Sequence, residues 1–164
     1  GEQLVEYEVR NSDLRAVSVR PFMFYDENEE FGDHRSAMIR FAHNLAHGKP
    51  IQVHNGSARS WLHISDAIKA LEAAANVDEY CVINLGHPEV VSIVDMAEMI
   101  REELGADRSL INTVDLPERM TLVKRPKLDR QKEILGFEPE VSLREGIKRV
   151  CKRVVERLEL TNAK

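Results

Sequence analysis

Apolar side chains recur at helical spacing in three segments of the chain, and this spacing predicts three amphipathic helices. The first covers residues 35–47 and ends before Gly48 and Pro50, which stop a helix. The second begins at Ser92 and ends before Gly105, and the third opens with a capping box, SLRE, at residues 142–145. The side chains expected on their core faces are Met38, Phe41, Ala42 and Leu45, then Ile93, Met96, Ala97, Ile100 and Leu104, then Leu143, Ile147, Val150 and Val154.

Shorter patterns predict the remaining elements. We expect strands at residues 15–20, 80–85 and 110–114, with a short extended piece at 51–54. Further helices are expected at 1–10, at 128–135, and from a cap at Ser65 or Asp66 to residue 75, with Ile68, Leu71 and Ala75 on one side. Helices and strands alternate without repeats, which indicates an α/β fold with a parallel or mixed sheet.

The first predicted helix, GEQLVEYEVR, has no N-cap residue and is already helical in character at its first position. Native chains seldom begin inside a helix. We therefore expect that the chain is truncated, by design or by proteolysis.

Composition narrows the class of protein. The chain has 164 residues, of which 43% are hydrophobic and 31% charged, as expected of a soluble globular domain with its own core. No stretch approaches the roughly 18 apolar residues of a membrane span. The net charge of −5 gives no reason to expect nucleic-acid binding. Cys81 and Cys151 lie in apolar patterns without a CxxC motif, so we expect buried free thiols in a reducing cytoplasm.

Clustered cations are the first candidate chemistry. Arg59 follows an Asn-Gly turn and precedes a short apolar run, so its planar fork of donors is either a phosphate ligand or an ordinary surface group. Asp66 is most simply a helix cap. Arg119, Lys124 and Arg125 lie in one loop-like stretch, which either holds a diphosphate or is a solvated segment.

Other patterns give weaker indications of function. His43 and His47 have a zinc-compatible spacing, but the helix phase turns both away from the core face and the glutamate of an HExxH box is missing, so we expect no metal site. Residues 20–25 end a strand, where open α/β sheets bind ligands, although Phe22 and Phe24 can equally be core residues. The acidic run at residues 26–30 is expected to be a solvated loop. The chain has no glycine-rich phosphate loop.

Five segments in order resemble the C-terminal half of the extended short-chain dehydrogenase/reductase family, the NAD-dependent nucleotide-sugar epimerases and dehydratases. GEQLVEYEVR resembles the continuation of the family's YxxxK helix, and RAVSVRPFMFY resembles its R-P-F-N-V-Y-G-P strand and loop. Residues 38–66 resemble the segment that ends R-d-f-v-h-V-x-D. YCVINLGHPEVVSIVDMAEMI and RPKLDRQKEILGFEPEVSLREGI resemble the two closing segments.

The resemblance implies the C-terminal part of an extended Rossmann-type fold: the last strands of the parallel sheet plus a small α/β substrate-binding subdomain. Residues 1–25 and 66–104 are expected in the Rossmann part, and 26–65 and 105–164 in the substrate subdomain. It implies cofactor contacts at Pro21 and Phe22. The substrate-binding positions it implies, with Arg59 and Arg119 on the diphosphate, are Met23, Tyr25, Val53, His54, Arg59 and Arg119.

The sequence also departs from the family pattern. Met23 stands where the family has an asparagine that reaches the sugar diphosphate, and methionine donates no hydrogen bond. Asp26 and Glu27 replace Gly-Pro, Ser65 replaces an aspartate, and the turn between residues 53 and 59 is two residues shorter. These departures put the exact sugar nucleotide in question.

The family's chemistry, as the resemblance implies it, is proton removal from a sugar hydroxyl by tyrosine with hydride transfer to NAD. The 164 residues contain neither GxxGxxG nor YxxxK. We therefore expect this chain to recognise substrate but to be inactive alone and not to bind NAD itself. A homodimeric parent and a self-associating fragment are expected. The rival hypotheses are a non-catalytic binding module and a carbonyl reductase of the same family acting on a non-nucleotide substrate.

Overall fold

The computed structural model describes residues 1–162 and has six helices among them. They are α1 (Glu2–Asn11), α2 (Ala37–Ala46), α3 (Ile64–Ala75), α4 (Ile93–Leu104), α5 (Asp129–Leu135) and α6 (Leu143–Asn162). The strands are β1 (Ser18–Pro21), β2 (Phe24–Tyr25), β3 (Ile51–His54), β4 (Ala58–Ser60), β5 (Leu62–His63), β6 (Val82–Leu85), β7 (Val90–Ser92), β8 (Ile111–Val114) and β9 (Val123–Lys124). The α/β prediction is confirmed.

Most strands pair in parallel over long sequence separations. β1 pairs with β6, β2 with β5, and β3 with β8, all in parallel. β4 lies between β7, which runs antiparallel to it, and β9, which runs parallel. Because parallel strands end at the same edge, the carboxyl ends of β1 and β6 meet, as do those of β2 and β5.

Two clusters of buried side chains form the core. The larger one joins α2, α4 and α6 to β3, with Trp61 and Tyr25 inside it. The smaller one joins β1, β5 and β6 to α3 and to Phe137. The predicted core faces of α2 and α6 are buried, and Met96, Ala97 and Ile100 of α4 are fully enclosed. The predicted division into a Rossmann part and a substrate subdomain stays a prediction; the core clusters group α4 with α2 and α6.

The helix α3 differs most from its prediction. Neither Ser65 nor Asp66 caps it: His63 is the N-cap, and its side chain accepts a hydrogen bond from the Ser65 amide. The helix buries Ala67, Ala70 and Ala74, while Ala75 is exposed and Ile68 and Leu71 are exposed by 49% and 42%. Small side chains face the sheet because they allow close helix–sheet approach, and the side that carries Ile68 and Leu71 remains an exposed apolar surface.

Other local predictions are corrected as well. Cys151 is buried as expected, but Cys81 is only half-buried; both are free thiols. His43 is not simply solvated: it is half-buried and stacks on Phe31 with 3.6 Å between ring centroids. The acidic run is not a solvated loop throughout, because Glu27 and Glu29 are half-buried and hydrogen-bonded. None of the described helices is long and apolar enough to cross a membrane.

Candidate functional site

The carboxyl ends of β1 and β6 converge with β4 at Gly86. The Phe22 amide continues the β1–β6 ladder by donating to the Leu85 carbonyl at 2.9 Å. A Cβ atom on Gly86 would lie 2.8 Å from Pro126 Cγ, 3.0 Å from Ser60 Oγ and 3.4 Å from Phe22 Cβ. Only glycine fits this crossing, which brings segments from four parts of the chain together at one sheet edge.

Buried polar side chains fix that crossing. Gln131 is only 3% exposed, and its amide binds both sides of Gly86: Oε1 accepts from the Gly86 amide at 2.9 Å and Nε2 donates to the Gly86 carbonyl at 3.1 Å. The fully buried Ser60 hydroxyl likewise donates to the His87 carbonyl at 2.7 Å and accepts from the His87 amide at 2.8 Å. The loop after β6 is therefore held rigidly where ligands of open α/β sheets bind.

Arg59 lies on β4, next to this crossing, and is 8% exposed. Its Nη1 donates to the Ala58 and Leu122 carbonyls at 2.8 and 2.9 Å, and its Nη2 donates to the Thr121 carbonyl at 2.9 Å. Burial lowers the pKa of its guanidinium, which nevertheless stays charged at neutral pH. These contacts leave Nε–H and one Nη2–H of its five N–H groups for another partner.

The segment that Arg59 holds contains the other predicted cations. β9 pairs with β4, with Lys124 opposite Arg59 in register. Arg119 lies in an exposed turn closed by a hydrogen bond from the Met120 amide to the Pro117 carbonyl, at 2.9 Å. Arg125 is exposed beside the buried Pro126. The structure thus places the backbone of the cationic segment against Arg59.

Two of the predicted substrate-binding positions, Val53 and His54, lie at the carboxyl end of another strand pair, β3 and β8. The side chain of Val53 is fully buried in the core, so it is not accessible to a ligand. His54 is half-buried, and its Nδ1 lies 3.3 Å from the Asp115 carbonyl, which fits an Nδ1–H donor. Its Nε2 is then left as an acceptor.

The predicted cofactor loop begins at the end of β1. Pro21 is exposed and Phe22 half-buried. Met23 has a φ of 35°, the one left-handed backbone among the non-glycine residues in the described part of the chain. Asparagine tolerates this conformation better than methionine does, so Met23 carries strain at the ligand edge. The Met23 carbonyl accepts from the Leu62 amide at 3.2 Å.

Tyr25 is a core residue rather than a loop residue. It is 3% exposed and meets the rings of Trp61 and His63 edge to face, with centroids 6.5 and 5.2 Å away. Its hydroxyl is buried against Gly146 of α6. Burial raises the pKa of Tyr25 well above its usual range, so the phenol remains protonated.

Sequence reasoning missed a buried polar group beside Tyr25. His63 is 2% exposed, and its Nε2 lies 2.8 Å from Glu27 Oε2. The fully buried Asp66 accepts hydrogen bonds through Oδ2 from the Glu140 and Val141 amides, at 3.0 and 2.8 Å. Polar residues inside the apolar run WLHISDAI were the available signal, but their partners lie 36 to 75 positions away.

No group of described residues has the composition of a metal site. His43 and His47 stack on each other with centroids 4.1 Å apart, and Nδ1 of His47 is bonded to the His43 carbonyl at 2.7 Å.

Residues 1–86 match the sequence model of the NAD dependent epimerase/dehydratase family. The chain belongs to this family. NAD is the family's cofactor.

Individual relatives and solved proteins are also similar to the chain. UDP-glucuronic acid decarboxylase 6 of Arabidopsis thaliana is 32% identical over 100 residues, which cover 59% of this chain and 28% of the relative. UDP-glucose 4-epimerase from Thermotoga maritima, solved with UDP-glucose, superposes with a TM-score of 0.86 at 21% identity, covering 97% of this chain and 51% of that one. UDP-glucuronic acid 4-epimerase from Bacillus cereus, solved with UDP-glucuronic acid and NAD, gives 0.82 at 22% identity, covering 96% and 50%.

These similarities establish a Rossmann-type epimerase fold for the chain. The matched regions make up only part of the curated relatives, 44% of one and 28% of another. The described residues do not fit a whole NAD molecule. The carboxyl end of β1 offers one exposed wall at Pro21, but the sequence contains no glycine-rich motif for the pyrophosphate.

Proposed function

We propose that the chain is the substrate-binding portion of an NAD-dependent nucleotide-sugar epimerase or dehydratase, and that its role is to bind the nucleotide diphosphate. Family membership and the UDP-sugar ligands of the similar solved proteins support the ligand class. The observation that carries the proposal is the junction of β4 and β9, where Arg59 holds the segment that contains Arg119 and Lys124.

The junction can bind a diphosphate in one simple way. Arg59 uses three of its N–H groups on carbonyls of its own chain, which fixes the plane of the guanidinium. The remaining donors then need no reorientation to meet an anion, and a fork of fixed donors suits phosphate oxygens. The exposed Arg119 supplies a second, mobile cation two residues before Thr121.

We further propose that catalysis needs residues outside this chain, which would supply the YxxxK pair and the GxxGxxG loop. Two structural features support this. In the described part of the chain β1 pairs with β6 alone, so its other edge is open to a further strand. Beside that edge, Val17 and Val19 line a groove of about 610 Å³ with Leu71, Ala74 and Ala75 of α3. Open strand edges and apolar grooves are usually covered by other protein segments.

Titration calorimetry of the 164-residue chain with UDP, uridine and UDP-glucose tests the ligand class. We expect UDP and UDP-glucose to bind and uridine, which lacks phosphate, to bind at least tenfold more weakly. The Arg119→Gln variant should weaken UDP binding without changing uridine binding. Equal affinity for UDP and uridine would rule out a diphosphate site.

A carbonyl reductase of the same family is the second candidate, and Met23 favours it. The thioether offers no donor to a sugar diphosphate, and the chain keeps it in a strained left-handed conformation. If this candidate is right, UDP will not bind, and the chain together with the residues that supply the YxxxK pair and the GxxGxxG loop will reduce a non-nucleotide carbonyl compound with NAD(P)H.

A further inference from the structure

A partly buried hydrogen bond ties the loop after β2 to the strand beside it. The loop comprises residues 26–36, and its Glu27 reaches back to His63 at the end of β5, with 2.8 Å between Oε2 and Nε2. Glu27 lies two residues beyond Tyr25, and Tyr25 is the register partner of His63. The contact therefore closes a short ring of chain across the end of the β2–β5 pair.

The hydrogen-bond pattern indicates which nitrogen of a neutral His63 ring carries the hydrogen. Its Nδ1 accepts from the Ser65 amide at 3.2 Å and lies 2.8 Å from the Ser65 hydroxyl. Because Nδ1 is the acceptor, the proton of the neutral ring is on Nε2, which donates to Glu27. Burial raises the pKa of Glu27, but bonds from its own backbone amide and from His63 outweigh this and lower it. The contact is thus a charge-assisted bond from imidazole to carboxylate.

Other contacts hold the far end of the loop. Glu29 binds the amide and hydroxyl of Ser36 at 2.9 and 2.6 Å, at the start of α2. Arg157 of α6 donates to the Asn28 and Glu29 carbonyls at 3.2 and 3.0 Å. These contacts join the loop to helices, whereas Glu27 joins it to the strand edge.

That edge is where the predicted ligand residues lie. β5 continues β4, which carries Arg59, through the single residue Trp61. β2 continues the loop that carries Met23, whose carbonyl is bonded to the Leu62 amide. A shift of His63 would therefore move both the strand with Arg59 and the chain that leaves β1.

We propose that Glu27 is a positioning residue for ligand binding, which acts through His63 to fix the β2–β5 edge. This inference rests on the proposed function. Glu27, one of the two residues that replace Gly-Pro, then contributes to ligand binding.

Three variants of the 164-residue chain separate the effect of side-chain length at residue 27 from the effect of its charge. Glu27→Gln keeps the length and an acceptor oxygen but loses the charge. Glu27→Asp keeps the charge but is one methylene too short to reach His63, and Glu27→Ala loses both. Glu30→Gln, at an exposed glutamate of the same loop, is the matched control.

Two readouts are needed: UDP affinity by calorimetry, and the His63 Nε2–H proton by NMR without ligand. We expect the Asp and Ala variants to bind UDP about tenfold more weakly and to lose the slowly exchanging Nε2–H signal. The Gln variant should keep the signal and bind within about threefold of wild type, as should the Glu30 control. Trp61 fluorescence checks folding; if the Ala variant does not fold, the Asp and Gln variants decide the question.

The outcomes distinguish the inference from the proposed function. If the wild-type chain does not bind UDP, both fail. If it binds and the Asp variant binds equally well, the positioning role fails and the proposed function stands. A Gln variant that binds as weakly as the Ala variant would also overturn the positioning role, because a side chain long enough to bind His63 would then not restore UDP binding.

Discussion

Replacing Arg59 by methionine tests whether its guanidinium holds the cationic segment in place. Methionine keeps an unbranched side chain on β4 but removes the donors to the Leu122 and Thr121 carbonyls, 2.9 Å away. The variant also loses a third bond, to the Ala58 carbonyl at 2.8 Å. Each net hydrogen bond contributes about 0.5–1.5 kcal/mol, so the loss of all three lowers the free energy of unfolding by about 1.5–4.5 kcal/mol. Two effects favour the low end: Thr121 and Leu122 are exposed, so water can replace the donors, and the variant no longer buries a charge.

Urea denaturation followed by fluorescence measures this change directly, because Trp61 is the only tryptophan and is 2% exposed two residues from Arg59. We expect an earlier midpoint with an unchanged slope. Arg59→Lys is the matched control: it keeps the charge but cannot bind two carbonyls as a planar fork, so most of the loss should remain. A methionine variant within about 0.3 kcal/mol of wild type would refute the structural role, since the carbonyl contacts would then contribute nothing.

Three further sets of substitutions test the close packing at Gly86, the buried carboxylate of Asp66 and the exposed face of α3. Gly86→Ala places a methyl group 2.8 Å from Pro126 Cγ, and we expect it to cost about 1–3 kcal/mol of stability in urea denaturation; a neutral result would contradict the close packing. Asp66→Ala leaves two backbone amides without their buried acceptor and should cost about 1–3 kcal/mol, measured by thermal unfolding; an unchanged midpoint would mean that this carboxylate stabilises nothing. Ile68→Lys with Leu71→Lys charges the exposed face of α3 and should abolish the self-association expected of this chain in analytical ultracentrifugation; a wild-type chain that is already monomeric would exclude the association itself.

The helices that pack on two or more neighbours were predictable from sequence. α2, α4 and α6 carry regular apolar faces, and the caps at Ser92 and Ser142 lie within three residues of the amides they bind. Such local signals need no knowledge of the rest of the chain. The strands β1 and β6, though not their pairing, were predictable for a similar reason, since each is a compact β-branched or apolar run.

The short strands and the buried polar contacts were not predictable. β2, β5 and β9 have two residues each, too few for a periodicity, and exist because distant strands pair with them. Arg59 could be identified as a candidate ligand, but its carbonyl partners lie 62 and 63 positions away. For the same reason His63 could not be recognised as a helix cap bound to Glu27, nor could the exposed side of α3 be told from its buried side.

NMR titration of the ¹⁵N-labelled chain with UDP measures directly whether the β4–β9 junction binds a nucleotide diphosphate. We expect saturable shifts at the amides of Arg59 and residues 119–124, with smaller ones at residues 22–25. Shifts confined to residues outside these segments, or none at millimolar UDP, would contradict a diphosphate site at this junction.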